Sequence, residues 1–158
     1  MVMMYELQGS IVLDPILWKD PPLVAVALDQ QLIYKDYITA SFSLPLDFKL
    51  SEGTHSISVE LCNKKDDDTD LARGLDKAVN IRHIEFFGTS DPRFVWAGHY
   101  HPIYHPSWID QQKQNGIVPE PVLTQHTYLG WNGIWYLDFS VPIFTWMHKI
   151  QSLGWIYD

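Results

Sequence analysis

Three sets of residues carry groups that could do chemistry. Asp66, Asp68 and Asp70 alternate within Asn63-Lys64-Lys65-Asp66-Asp67-Asp68-Thr69-Asp70. Hard cations such as calcium take six to eight oxygen ligands from a flexible segment, and alternate carboxylates let one loop wrap an ion. An EF-hand loop is excluded, because Leu71 stands where its glycine is needed and Lys77 where its final glutamate is needed. The same run also reads as a solvated acidic loop tip. A second set is His99, His101 and His105, with His126 further on. Imidazoles at 99 and 101 share one face of an extended strand and could chelate a transition metal, although no carboxylate accompanies them at firm spacing. Polar packing is the competing reading. The third set is Tyr100, Tyr104 and Trp108. Such rings stack on sugar faces, anchor a protein partner, or pin their own loop to the core.

Signatures of covalent catalysis are missing. There is no G-x-S-x-G elbow, P-loop or dinucleotide fingerprint. The single cysteine, Cys62, lies in an alternating strand pattern and reads as a packing residue. Glu85 and Asp138 lie on strands where a glycosidase carboxylate could stand, but such pairs are matched in space rather than in sequence. These residues point away from an enzyme.

The elements that position these groups are mostly strands. Ile38, Ala40, Phe42, Leu44, Leu46 and Phe48 alternate with polar residues and Pro45, which marks a half-buried strand that lies at a sheet edge or ends early. A turn at Ser51-Glu52-Gly53-Thr54 leads to Ile57, Val59 and Leu61, and the two runs are expected to pair antiparallel. Leu23 to Leu28 and Gln31 to Tyr34 flank a tight turn at Asp29-Gln30. From Val79 to Phe87 the alternation changes phase, which requires a β-bulge near Arg82-His83. Phe94 to Tyr100 and Trp131 to Val141 read as strands, the latter with Trp135, Leu137, Phe139 and Val141 on one face. After Pro142, the spacing of Ile143, Trp146, Met147, Ile150 and Leu153 predicts a short helix stopped by Gly154. Two long loops, Asn63 to Lys77 and His101 to Glu120, hold most of the candidate chemistry.

This pattern predicts an all-β fold, a jelly-roll-like antiparallel β-sandwich with a short C-terminal helix, as one domain over 1–158 with its core at about 10–155. The chain of 158 residues needs neither disulfide nor metal to bury a core. Its formal charge of −8, from 19 acidic and 11 basic residues, disfavours nucleic-acid binding. No run reaches the length of a membrane span, so no membrane insertion is expected, and no signal peptide is read at the start. Trp, present seven times, favours a recognition surface.

The hairpin at 24–34, the turn at 50–57, Val59-Glu60-Leu61-Cys62-Asn63-Lys64 and the strand Val79 to Gly88 together resemble the calcium-dependent, xylan-binding-type carbohydrate-binding module. The tail, Leu129-Gly130-Trp131-Asn132-Gly133-Ile134-Trp135-Tyr136-Leu137-Asp138-Phe139 and Val141 to Trp146, is similar to virion proteins of tailed phages, cyanophages included. The resemblance covers most of 22–155. It implies a non-enzymatic virion component of the tail, neck or capsid surface, made in the host cytoplasm. Its partners would be other virion proteins in a homo-oligomeric or multi-copy assembly and a host surface glycan. It also implies calcium, with Asp66, Asp68 and Asp70 as the ligands at hand. The alternatives are a free-standing calcium-dependent carbohydrate-binding module and a small metal-dependent hydrolase using the histidine loop.

Overall fold

A computed structural model describes residues 3–65 and 67–152. In chain order the elements are β1 (Met4–Ile16), β2 (Leu23–Leu28), β3 (Gln31–Tyr37), β4 (Phe42–Ser51), β5 (Gly53–Leu61) and β6 (Thr69–Asp70). A 3-10 turn at Leu71–Arg73 leads to β7 (Leu75–Asp76), β8 (Ala78–Phe86) and β9 (Thr89–Ser90). Then come α1 (Pro92–Trp96), β10 (His99–Pro102), α2 (Pro106–Gln114), β11 (Leu123–Thr124), β12 (Tyr128–Leu129), β13 (Gly133–Val141) and α3 (Ile143–Ser152). One sheet has the order β12-β8-β1-β4, with β9 paired to β8, and the other the order β11-β10-β13-β5-β2-β3. All pairs are antiparallel, and β6 and β7 form a separate small hairpin.

The chain passes repeatedly from one sheet to the other, as in a jelly roll, and the inner faces share one apolar core. Alternation supplies it: Leu44, Leu46 and Leu50 of β4 point inward between exposed neighbours, and Trp135, Leu137, Phe139 and Val141 do so on β13. Phe86 and Phe139 meet across the layers at 6.0 Å, and Trp146 of α3 closes over both rings. The β-sandwich with a C-terminal helix is thus the architecture read from the sequence. At the helix's end, positions 153 and 154 lie outside the described residues, as does Asp66.

Two local features follow the sequence closely. At the tip of the β2–β3 hairpin, Asp29 and Gln30 both have positive φ, at 48° and 69°, the pairing that matches strand twist in a two-residue turn. On β8, Val12 pairs with His83 and Leu13 with Ile81, so Arg82 is the extra residue of the bulge, and the phase change is absorbed there.

Other expectations are corrected. The runs of β4 and β5 do not pair with each other. Ser51 pairs with Met4 in one sheet and Gly53 with Val141 in the other, so the turn between them is a crossover. Period two identifies the buried face of a strand but not its partner. Phe94 to Tyr100 is not a continuous strand. Asp91 caps a helix by accepting the Arg93 N–H at 2.9 Å, Pro92 opens it, and β10 starts only at His99. The loop from His101 to Glu120 contains α2. The central strand β1 escaped the alternation reading because Gly9 and Pro15 interrupt it. Gly9 is required, since a Cβ there would stand 2.1 Å from the Glu85 carbonyl oxygen.

His55 ties the hairpin tip to the crossover. Its Nδ1 lies 2.6 Å from Asp29 Oδ2 and its Nε2 2.7 Å from the Ser51 carbonyl oxygen. Both neighbours are acceptors, so the doubly protonated ring satisfies both. Burial opposes the charge, but Asp29 and the Ser51 carbonyl outweigh it and the pKa is raised above its ordinary 6.5. A raised folded pKa stabilises most below the unfolded value, and the contribution is lost as pH rises through the folded one. The stability gap between wild type and His55→Ala, measured by denaturant titration, should therefore be widest below pH 6.5 and narrow at higher pH. A gap independent of pH would mean that folding leaves the ring's proton affinity unchanged, and a gap that widens toward high pH would mean that the ring is neutral in the fold.

Candidate functional site

The site is built outward from a buried phenol. Tyr100 on β10 is fully buried. Its hydroxyl donates to the Trp131 carbonyl and accepts the Trp131 N–H at 3.2 Å. Burial pushes this phenol's pKa far up, so it stays neutral and able to donate. His126 lies flat on the ring at 5.6 Å and 5°. On the other side of the segment, Asn132 accepts the Lys64 N–H at 2.7 Å and donates its amide to the Lys64 carbonyl at 2.8 Å. Lys64 Nζ also donates to the Gly130 carbonyl. Residues 130 to 132 are thereby clamped between the core and the loop after β5.

Trp131, so held, receives two further rings. His105 caps α2 by accepting the Ser107 N–H at 3.2 Å, and Pro106 opens the helix. This places Trp108 flat against Tyr104 at 4.9 Å and 28°. Trp131 meets Tyr104 edge-on at 5.4 Å and Trp108 at 5.1 Å. Each such contact contributes about 0.5–1.5 kcal/mol beyond area burial. Tyr104 also donates its hydroxyl to the Glu120 carbonyl at 2.7 Å. No residue of α2 is fully buried, so the ring cluster is a main tie between this helix and the sandwich.

The rings form one wall of a cleft of about 590 Å³. Other residues that line it are polar. Asp76 accepts from Lys64 Nζ at 2.5 Å, from Tyr128 at 2.5 Å and from Thr69 at 2.7 Å. Burial alone would raise the Asp76 pKa, but these three donors hold it below the usual carboxylate range. The Tyr128 phenol is pushed well up by burial and by the same carboxylate. Leu71 and Ile103, 89 % and 68 % exposed, stand at the rim, and Gln111 and His126 also line the space.

Of the rings singled out in the sequence, Tyr104 and Trp108 line this cleft and Tyr100 does not. Tyr100 is corrected from a contact residue to the support beneath one, because its ring is wholly covered. The acidic residues are likewise used internally. Asp68 is buried, 2.8 Å from the fully buried Lys77 ammonium, and accepts the Lys65 N–H at 2.8 Å. Burial raises its pKa, but Lys77 and the Lys65 N–H reverse the direction and hold it low. An uncompensated buried charge costs about 3–5 kcal/mol, so Asp68 is the counter-ion of Lys77 rather than an open ion ligand. Asp70 caps the 3-10 turn at the Arg73 N–H. Neither residue fits a calcium site on its own, and among the described residues no group of three or more His, Cys, Asp or Glu is disposed to hold a metal.

The histidines separate. His99 and His101 meet each other and Tyr136 edge-on, on the outer face of the β10–β13 pair, whereas His105 and His126 line the cleft. Glu85 and Asp138 stand on outer faces of different sheets and form no pair. Trp131, Tyr128 and Asp76 were not anticipated. Trp131 shares parity with the core residue Trp135, which hides it in a strand reading, but β13 begins only at Gly133, with φ 148°.

Tyr100→Phe removes the hydroxyl that clamps Trp131 while keeping the ring. Stability should fall by about 1–3 kcal/mol, the cost of an orphaned buried group. In 15N spectra the Trp131 indole signal should broaden or move, while that of Trp146 stays in place. An unchanged Trp131 signal would show that the clamp does not position the ring.

No family model matches the chain, and no curated protein matches it. Among solved structures, the chain is similar to one described as vCBM60 in complex with galactobiose, at 11 % identity and a TM-score of 0.48, over 84 % of this chain and 97 % of that one.

Proposed function

We propose that this chain is a non-catalytic carbohydrate-binding domain that takes a glycan into the cleft between the Tyr104–Trp108–Trp131 cluster and the Lys64–Asp76–Tyr128 wall. The observation that carries this reading is that a ring cluster and a hydrogen-bonded polar set line one cleft. A pyranose has an apolar C–H face and a rim of hydroxyls. Half-buried rings that line the cleft suit the first, and fixed hydrogen-bonding groups suit the second. The volume falls in the range of small-ligand sites.

The state of Asp76 favours binding over hydrolysis. A general acid needs a raised pKa and a nucleophile needs a free oxygen. Asp76 has three donors and a lowered pKa. The setting we propose is the surface of a tailed-phage virion, where multiple copies would sum weak contacts to a host glycan. The sequence resemblance at 129–146 is what supports that setting, and Phe144 and Trp96, 60 % and 51 % exposed, are suitable for docking on other virion proteins.

Affinity electrophoresis in gels containing xylan or galactan tests the cleft. Wild type should be retarded on at least one polysaccharide, and Trp108→Ala should lose about tenfold in affinity, or 1.4 kcal/mol. Retardation unaffected by Trp108→Ala would remove the cleft from the account. Mass spectrometry of purified particles tests the setting: the protein should be present in fixed ratio to the major capsid protein, and its absence would contradict the virion role.

A further inference from the structure

A second, smaller hollow lies away from the cleft, on the outer face of the β13–β5–β2 sheet. It measures about 250 Å³ and is lined by Asp29, Gln30, Ser56, Ser58 and Tyr136. The register explains it. Tyr136 pairs across with His99 on β10 and with Ser58 on β5. On the β10 side His99 and His101 pack edge-on against the Tyr136 ring at 5.8 Å and 5.3 Å. On the β5 side the neighbour is the much smaller Ser58, which leaves space beside the ring. The Asp29-Gln30 turn closes the far side. It is fixed because Asp29 Oδ1 accepts the Ser56 N–H at 2.9 Å and Oδ2 pairs with His55.

The polar groups divide cleanly between occupied and free. Both oxygens of Asp29 are engaged within the chain. The hydroxyls of Ser56, Ser58 and Tyr136 and the side-chain amide of Gln30 form no hydrogen bond among the described residues. The hollow therefore offers one ring as a wall and several neutral donor-acceptor groups. Asp138, 62 % exposed, is the cross-strand partner of Ser56, and Glu60 follows on β5. These two carboxylates disfavour an anionic ligand on this face, while the charge of Asp29 is met by His55.

We propose that this hollow is a second carbohydrate subsite, for one pyranose ring of a neutral sugar, packed against Tyr136 and hydrogen-bonded by Ser56, Ser58 and Gln30. It shares no lining residue with the cleft, so it fills and fails independently of it.

Amide-shift titration of the full chain tests the proposal, with galactobiose and xylotetraose as probes and Trp108→Ala as a background with the cleft impaired. At least one probe should move the amides of Gln30, Ser56, Ser58 and Tyr136 saturably, in wild type and in Trp108→Ala alike. Ser58→Leu, which fills the hollow without removing a core residue, should abolish those shifts and leave the Trp108 and Trp131 indole shifts unchanged. Shifts confined to the cleft, or unchanged by Ser58→Leu, would overturn the second subsite while leaving the cleft in place. Indole signals that stay still while the four amides respond would count against the cleft alone. No saturable shift at any of these signals overturns both.

Discussion

The hydroxyl of Tyr100 is the point where the sandwich core takes hold of the cleft. A phenol with no solvent contact must find its partners inside the protein, and it finds both polar groups of the Trp131 backbone. That fixes the backbone beneath one ring of the cleft. Trp131 in turn meets Trp108 and Tyr104, which help to hold α2. The chain of dependence therefore runs from β10 in the core, through one main-chain unit, to a helix with no fully buried residue. Asn132 and Lys64 repeat the same device from the other side, so the loop after β5 cannot shift without moving the Trp131 segment.

Two carboxylates of this region, Asp76 and Asp68, follow one electrostatic rule. A carboxylate taken out of water is kept charged only by donors placed against it. Asp76 has Lys64, Tyr128 and Thr69, and Asp68 has Lys77 and the Lys65 N–H. The first network faces the cleft and gives it a fixed polar side. The second engages Asp68 of the acidic loop within the chain. The loop is thus organised by lysines of the same chain.

The sequence makes the sandwich legible where one face is buried. The alternation in β4 and β13 names the core residues, the phase change at Arg82 names the bulge, and Asp29-Gln30 names the turn. It is silent on partners, since period two is the same whether β4 lies beside β5 or beside β1. Short helices also escape it: α1 and α2 depend on caps at Asp91 and His105 rather than on an apolar stripe. At the site, Tyr104 and Trp108 are visible as aromatic residues in a long loop. Tyr100 looks the same in sequence and differs only in burial. Trp131 and Asp76 reach the cleft through contacts between distant segments, for which local spacing has no signature.

If the ring cluster receives a glycan, the indole N–H signals of Trp108 and Trp131 are the nearest reporters of it. They belong to the cleft, whereas Trp135 and Trp146 are buried in the core and serve as internal references. In a 15N-resolved titration with soluble xylan and galactan oligosaccharides, the Trp108 and Trp131 signals should move saturably with at least one of them while the Trp135 and Trp146 signals stay in place. Stationary Trp108 and Trp131 signals, under conditions where the protein is retained by the same polysaccharide, would contradict glycan binding at the ring cluster.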